Sequence, residues 1–238
     1  MMRSWEKAKT KSLLNISSSQ LPVVNMGYDF LIFDLDGTIA DSQKDITSAI
    51  NLVRNEYGCK PLTVKKVRSF LGSGVNALID KAFPGPDKEI HKNALKRFKF
   101  HYGQTLTDTT VLYPGIEKTL KTLKSKKKAI LSNKTEDFSQ EIVKRLRISK
   151  YFIEVWGGDT AGVKKPDPKP VFDLMKIAGI KPDKTVLIGD SENDFRAAKA
   201  AGIASIAVLY GYSDIKQIKK FKPDYIIEKP EEIINIVR

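Results

Sequence analysis

Asp34 and Asp36 stand two residues apart, with Gly37 and Thr38 directly behind them. Two neighbouring carboxylates can hold a hard cation through oxygen ligands. One of them can also attack an electrophile while the other moves a proton. Gly37 lets the backbone turn sharply, and Thr38 adds a hydroxyl. Two plainer readings compete with chemistry. Asp and Gly are good turn formers, so the stretch could simply end a strand. It could also open a calcium loop, but Thr38 to Ala40 supplies no third acidic ligand, and position twelve of such a loop would be Asp45 rather than glutamate.

The elements that must position these residues can be read around them. Phe30-Leu31-Ile32-Phe33 is a short apolar run of the kind that forms a buried strand, so the two acids lie just past its carboxyl end. Open α/β sheets place their ligands there. Three more places carry polar residues in a similar position. A strand ending at Leu131 runs into Ser132-Asn133-Lys134, and one ending at Ile188 runs into Gly189-Asp190-Ser191, with Asp194 four residues beyond Asp190. Between them, Lys165 directly precedes Pro166-Asp167-Pro168 and a helix. Each has a bland alternative: a helix cap at Ser132-Asn133, a surface lysine, a tight turn with Asp194 exposed. Four such sites in this order are not independent accidents.

Strands expected near Lys128–Leu131, Ile153–Trp156, Val186–Ile188, Ser205–Val208 and Tyr225–Ile227 alternate with helices near Ile116–Ser125, Phe138–Leu146, Pro170–Ala178, Glu192–Ala201 and Ile215–Lys219. That alternation predicts a mostly parallel sheet covered on both faces. Residues 41–113 read as helical, with Ile46, Ala49, Ile50 and Val53 on one face and further helices through Val64–Phe70, Val75–Phe83 and Ile90–Tyr102. No strand is expected between Asp41 and Val111. The core is therefore assigned to 28–40 and 114–238, and a helical insert to 41–113. Residues 1–27 are polar and aperiodic and are expected to be a disordered or non-native extension.

Composition narrows the function classes. The 238 residues are 41% hydrophobic and 29% charged, as in an ordinary globular protein. No apolar run approaches the about 20 residues needed to span a membrane. A single cysteine, Cys59, fits a reducing, cytoplasmic setting and excludes an internal disulfide framework. Two histidines and no Cys-x-x-Cys argue against zinc. The net charge of +13 raises nucleic acid as a partner, but the charge is spread along the chain. Lys126-Lys127-Lys128 and Lys219-Lys220-Phe221-Lys222 are the only clusters, and both are expected to be solvated helix ends. A positive field of this kind favours small anionic substrates.

From Tyr28 to Arg238 the chain resembles the haloacid dehalogenase superfamily of phosphotransferases. Asp34-Leu35-Asp36-Gly37-Thr38, Ala40-Asp41-Ser42, Lys165-Pro166-Asp167-Pro168, Gly189-Asp190-Ser191 and the stretch Val67–Val75 are similar to its phosphoglycolate phosphatase branch. The resemblance implies an α/β fold, a Rossmann-like, mostly parallel sheet core with an inserted helical cap. It implies Asp34 as nucleophile, forming an aspartyl-phosphate, and Asp36 as the acid and then the base. Mg²⁺ would be held by Asp34, the Asp36 main chain and Asp190. Ser132, Asn133 and Lys165 would grip the phosphoryl oxygens, Thr38 would orient an acid, and Asp194 would support Lys165 or the metal. In the cap, Gly72 and Ser73 are the candidates to touch the substrate, with Arg68 available to a carboxylate.

The implied activity is Mg²⁺-dependent hydrolysis of a small phosphate monoester, 2-phosphoglycolate first among them, by a protein acting as a monomer or homodimer. Asp36 speaks against dehalogenation, which needs no acid there. A hexose-phosphate mutase, a pyrophosphatase and a nucleotidase on the same scaffold stay open, as does a non-catalytic basic binding protein.

Overall fold

The computed structural model describes residues 27–238. The expectation for the leading segment therefore lies, apart from Gly27, outside the described residues.

Six parallel strands form the sheet: β1 (Phe30–Phe33), β4 (Lys127–Leu131), β5 (Glu154–Trp156), β6 (Thr185–Gly189), β7 (Ala204–Val208) and β8 (Tyr225–Ile227). Their spatial order is β5-β4-β1-β6-β7-β8. The chain builds outward from β1 on one side, then returns to β1's other edge and builds the opposite way. That reversal leaves a crevice at the carboxyl ends of β4, β1 and β6, the place where doubly wound sheets bind ligands.

Alternation along β1 explains why its run is apolar throughout. Leu31 and Phe33 enter one core with Ile130, Val186 and Ile188. Phe30 and Ile32 enter the other with Ala129, Leu131 and Leu187, so successive side chains are buried on opposite faces. Two helices, α7 (Lys169–Ala178) and α8 (Glu192–Ala201), cover the second face through Val171, Leu174, Ala197 and Ala198. The first face is covered by α5 (Ile116–Thr122), α6 (Glu136–Arg145) and α10 (Glu232–Ile236), while α9 (Ile215–Lys220) packs Ile218 against Ala207 of β7. The short α10 was not anticipated, since five residues carry too little periodicity to read.

Four helices make up the insert: α1 (Gln43–Glu56), α2 (Val64–Arg68), α3 (Val75–Ala82) and α4 (Lys88–Gln104). The buried face of α1 is Ile46, Ala49, Ile50 and Val53, as its spacing predicted. It packs on α4, which buries Ala94, Phe98 and Tyr102 at four-residue spacing. Asp45 is not a metal ligand but a clasp. Its carboxylate accepts from the main-chain N–H and the hydroxyl of both Thr109 and Thr110, at 2.6–3.0 Å. The first turn of α1 is thereby fixed to the returning chain.

Two expectations need correction. The segment is bounded by an antiparallel ribbon of β2 (Ala40–Asp41) and β3 (Val111–Leu112), where no strand was expected. Two residues per strand are too few to show alternation. Nor do Lys127 and Lys128 form a solvated helix end. Both lie in β4, and Lys128 is buried with its ammonium donating to the carbonyls of Leu123 and Lys126. Lys219, Lys220 and Lys222 are exposed, as expected. No helix among the described residues is long and apolar enough to cross a membrane.

Candidate active site

The carboxyl ends of β1, β4 and β6 bring the singled-out residues together. Asp34 follows β1, and its N–H continues the ladder to Ile188 at 2.8 Å. Gly37 has φ +86°, and a Cβ there would stand 2.6 Å from Asp190 Oδ2. Only glycine allows the β1 loop to press this closely on the acid that follows β6.

Lys165 enters from the loop before α7 and is almost wholly buried. Its ammonium donates to Asp34 Oδ1 at 2.7 Å and to Asp194 Oδ1 at 2.6 Å. Burial opposes its charge, but Asp194 and Asp34 more than offset this and hold it above the ordinary lysine range. Asp194 is therefore not an exposed helix residue. Its second oxygen accepts from the N–H and hydroxyl of Ser191, capping its own helix.

Asp190 Oδ2 accepts from Tyr212 N–H at 2.6 Å. The carboxylates of Asp34, Asp190 and Asp194 are buried and offer ligand atoms within 4.8 Å of one another. Burial pushes the Asp34 carboxyl up, to about 7, against the pull of Lys165, and Asp194 and Asp36 add to the rise. Burial also raises Asp190 well above the carboxylate range, and Asp34 and Asp194 push the same way. Three buried acids thus face one ammonium. Asp34 Oδ2 and Asp190 Oδ1 accept no hydrogen bond from a described residue, whereas both oxygens of Asp194 are used. The donor set fits a hard divalent cation held by Asp34 and Asp190.

Asp36, Ser132 and Asn133 line the same cavity as Asp34 and Lys165. Ser132 Oγ accepts from Lys134 N–H, and the cap of α6 is Thr135, so Ser132 and Asn133 do not cap that helix. Asn133 Nδ2 donates to the carbonyls of Lys165 (2.8 Å) and Gly72 (2.9 Å). Gly72 and Gly74 line the cavity, and Asn193 Nδ2 also donates to the Gly72 carbonyl at 3.0 Å. Ser73 accepts from Lys164 Nζ through its carbonyl at 2.7 Å. Three expected contact residues stand apart, and Ser73 is the first, since it does not line the cavity although Gly72 and Gly74 on either side of it do. Thr38 is fully buried, its hydroxyl without a partner, and it does not line the cavity. Arg68 is exposed on α2 and does not line it either.

Some of the wall was not anticipated. Lys134 reaches Asp36 Oδ2 at 3.2 Å and the Tyr102 hydroxyl at 2.7 Å. The loop after β7 places Gly211 against Asp190, and the Tyr212 hydroxyl accepts from Ser42 N–H at 2.8 Å. Ser42 Oγ in turn donates to Asp36 Oδ1. The available signal was positional: Tyr210-Gly211-Tyr212 follows the carboxyl end of β7, as the other motifs follow their strands.

The insert's loop fits closely at Gly74. Its φ is +86°, and a Cβ would stand 2.9 Å from the Asn133 carbonyl oxygen. Gly74→Ala should therefore unseat this loop at a cost of about 1–3 kcal/mol. The expected result is a fall in kcat/KM of about tenfold or more with the melting temperature lowered by only a few degrees. Steady-state kinetics beside thermal melts check this, and unchanged kinetics would show that the loop need not seat for turnover.

A family model for haloacid dehalogenase-like hydrolases matches residues 31–208. The chain is 37% identical over 210 residues to the phosphoglycolate phosphatase of Aquifex aeolicus, which covers 87% of this chain and 95% of that one. It is 35% identical over 212 residues to phosphoglycolate phosphatase 1 of Pseudomonas aeruginosa, covering 86% and 78%. Among solved structures it is similar to a predicted phosphoglycolate phosphatase from Haemophilus somnus, with a TM-score of 0.85 and 29% identity over 89% of this chain and 98% of that one.

Proposed function

This chain belongs to the haloacid dehalogenase-like hydrolase family, and from that membership we propose that it hydrolyses 2-phosphoglycolate to glycolate and phosphate with Mg²⁺. It is a phosphoric monoester hydrolase. The observation that carries phosphoryl transfer is the Lys165 ammonium shared between Asp34 and Asp194 beside Asp190, in a cavity that Asp36 also lines, and the choice of ester follows the phosphoglycolate phosphatases to which the chain is similar.

In this reading Asp34 attacks phosphorus, and the bond to the ester oxygen breaks. Asp36 delivers a proton to that leaving oxygen, then takes one from the water that hydrolyses the aspartyl-phosphate. Lys165 offsets the charge of Asp34 and meets a phosphoryl oxygen. The Ser132 hydroxyl and the Asn133 main-chain N–H, whose side chain is already committed to Gly72 and Lys165, are placed to grip the others. Asp34 and Asp190 would hold Mg²⁺. Bound there, the ion would supply the positive charge that lets an anionic carboxylate approach an anionic phosphate. The insert acts as a cap that keeps bulk water from the site, the loop between α2 and α3 presenting Leu71 and α3 presenting Val75 and Leu78 to the cavity. With its one cysteine the protein suits a reducing cytoplasm.

A panel of phosphate esters, sugar phosphates and pyrophosphate, assayed for free phosphate with and without Mg²⁺, tests the reading. Removal of divalent metal by EDTA should cut turnover at least about 100-fold, and Mg²⁺ should restore it. Mg²⁺ should also raise the melting temperature by relieving the carboxylate cluster. Full activity after exhaustive chelation would overturn the metal role. Isomerised sugar phosphate without free phosphate would point to a mutase instead.

A further inference from the structure

Among the described residues, two cations line the cavity, and they are committed differently. Lys165 is bound to two carboxylates. Lys134 holds one, Asp36 Oδ2 at 3.2 Å, with its side chain only 8% exposed. Its other contacts are with Tyr102 of α4: the hydroxyl at 2.7 Å and the ring face at 4.4 Å from the centroid. A phenol and a ring face position an ammonium without neutralising it. Nearby the cavity is lined by Leu71, Phe98 and Phe138, so the charge is held in largely apolar surroundings.

The partner of Lys134 matters. Asp36 Oδ1 already accepts from the Ser42 hydroxyl, so with Lys134 on Oδ2 both oxygens of this residue are engaged. Neither is then free to hand a proton to a leaving group. With the phosphoryl group met by Lys165, Ser132 and Asn133, an ester with a neutral organic part offers Lys134 no second anion to compete with Asp36. One with a second negative charge does, at short range and away from bulk water, where a charge-assisted hydrogen bond is strong.

We propose that Lys134 selects substrates bearing a second anionic group, a carboxylate close to the ester oxygen, and that seating this group draws Lys134 off Asp36 and frees the acid. This rests on the phosphatase reading given above. It makes Lys134 a specificity-determining residue that acts on both binding and turnover. Tyr102 is the positioning residue that keeps it at the cavity.

The test compares 2-phosphoglycolate with its neutral amide, 2-phosphoglycolamide, on the Mg²⁺-loaded full chain. The wild type should prefer the acid by about 10- to 100-fold in kcat/KM, with part of the difference in kcat. Lys134→Met should bring the two substrates within about threefold of each other. Lys134→Gln, which keeps a donor for Asp36 and Tyr102 but lacks the charge, should do the same. Equal rates on acid and amide in the wild type would overturn the proposal. So would a preference surviving in both variants, or one lost in Arg68→Ala but kept in Lys134→Met. Release of phosphate from no ester at all would instead sink the phosphatase reading itself.

Discussion

Asp34→Asn will lower turnover by about 10⁴-fold or more while the chain melts at or above the wild-type temperature. The amide cannot form the acyl-phosphate bond, and loss of a nucleophile that works with an acid and a cation removes most of the rate at once. Stability moves the other way because the wild-type carboxylate is buried and pushed upward by that burial. A neutral amide removes the penalty and leaves Lys165 paired with Asp194 at 2.6 Å. Single-turnover phosphate release beside a thermal melt checks both halves. Near-normal activity would mean that another group attacks phosphorus.

Lys165→Met will lose both activity and stability. Asp34, Asp190 and Asp194 then share a buried cluster with no ammonium among them, and stripping one partner from such a cluster costs about 3–5 kcal/mol. The loss depends on pH in a definite direction. Burial already raises Asp34 to about 7, and removing the pull of Lys165 raises it further. Between the ordinary carboxylate range and that raised value, the folded chain binds protons that the unfolded chain has released. Folding is therefore favoured as pH falls through this window. Urea unfolding of variant and wild type in EDTA should show the largest deficit at pH 7 and above and a smaller one at pH 5. A deficit that grew on acidification would show that the lysine does not serve mainly to neutralise these acids.

The parts of the site that could be read from sequence are those carried by strand ends. Phe30–Phe33 is apolar at every position because both faces of β1 are covered, so Asp34 marks its end without ambiguity. The same logic located Ser132 and Asp190, and α1 showed its buried face by spacing alone. Lys134 could not be assigned a partner in the same way. Its significance comes from Tyr102, thirty-two residues away on α4, and from Asp36 across the cavity. The β2–β3 ribbon is too short for any period, and Lys128 belongs to a lysine run that composition assigns to solvent. What fails is whatever depends on two distant segments meeting.

Among the hydrogen bonds that cross the seam between the helical insert and the sheet, four lie at the Gly72-Ser73 loop and at Tyr102. The Gly72 carbonyl takes two side-chain amides, the Ser73 carbonyl takes Lys164, and the Tyr102 hydroxyl takes Lys134. None of the four joins two opposite formal charges. Salt that screens the +13 chain slows its capture of a small anion but finds no charge pair to weaken in this latch. Ionic strength and these four contacts of the insert are thereby uncoupled, and among the steps of substrate entry it is the encounter that feels the ionic surroundings.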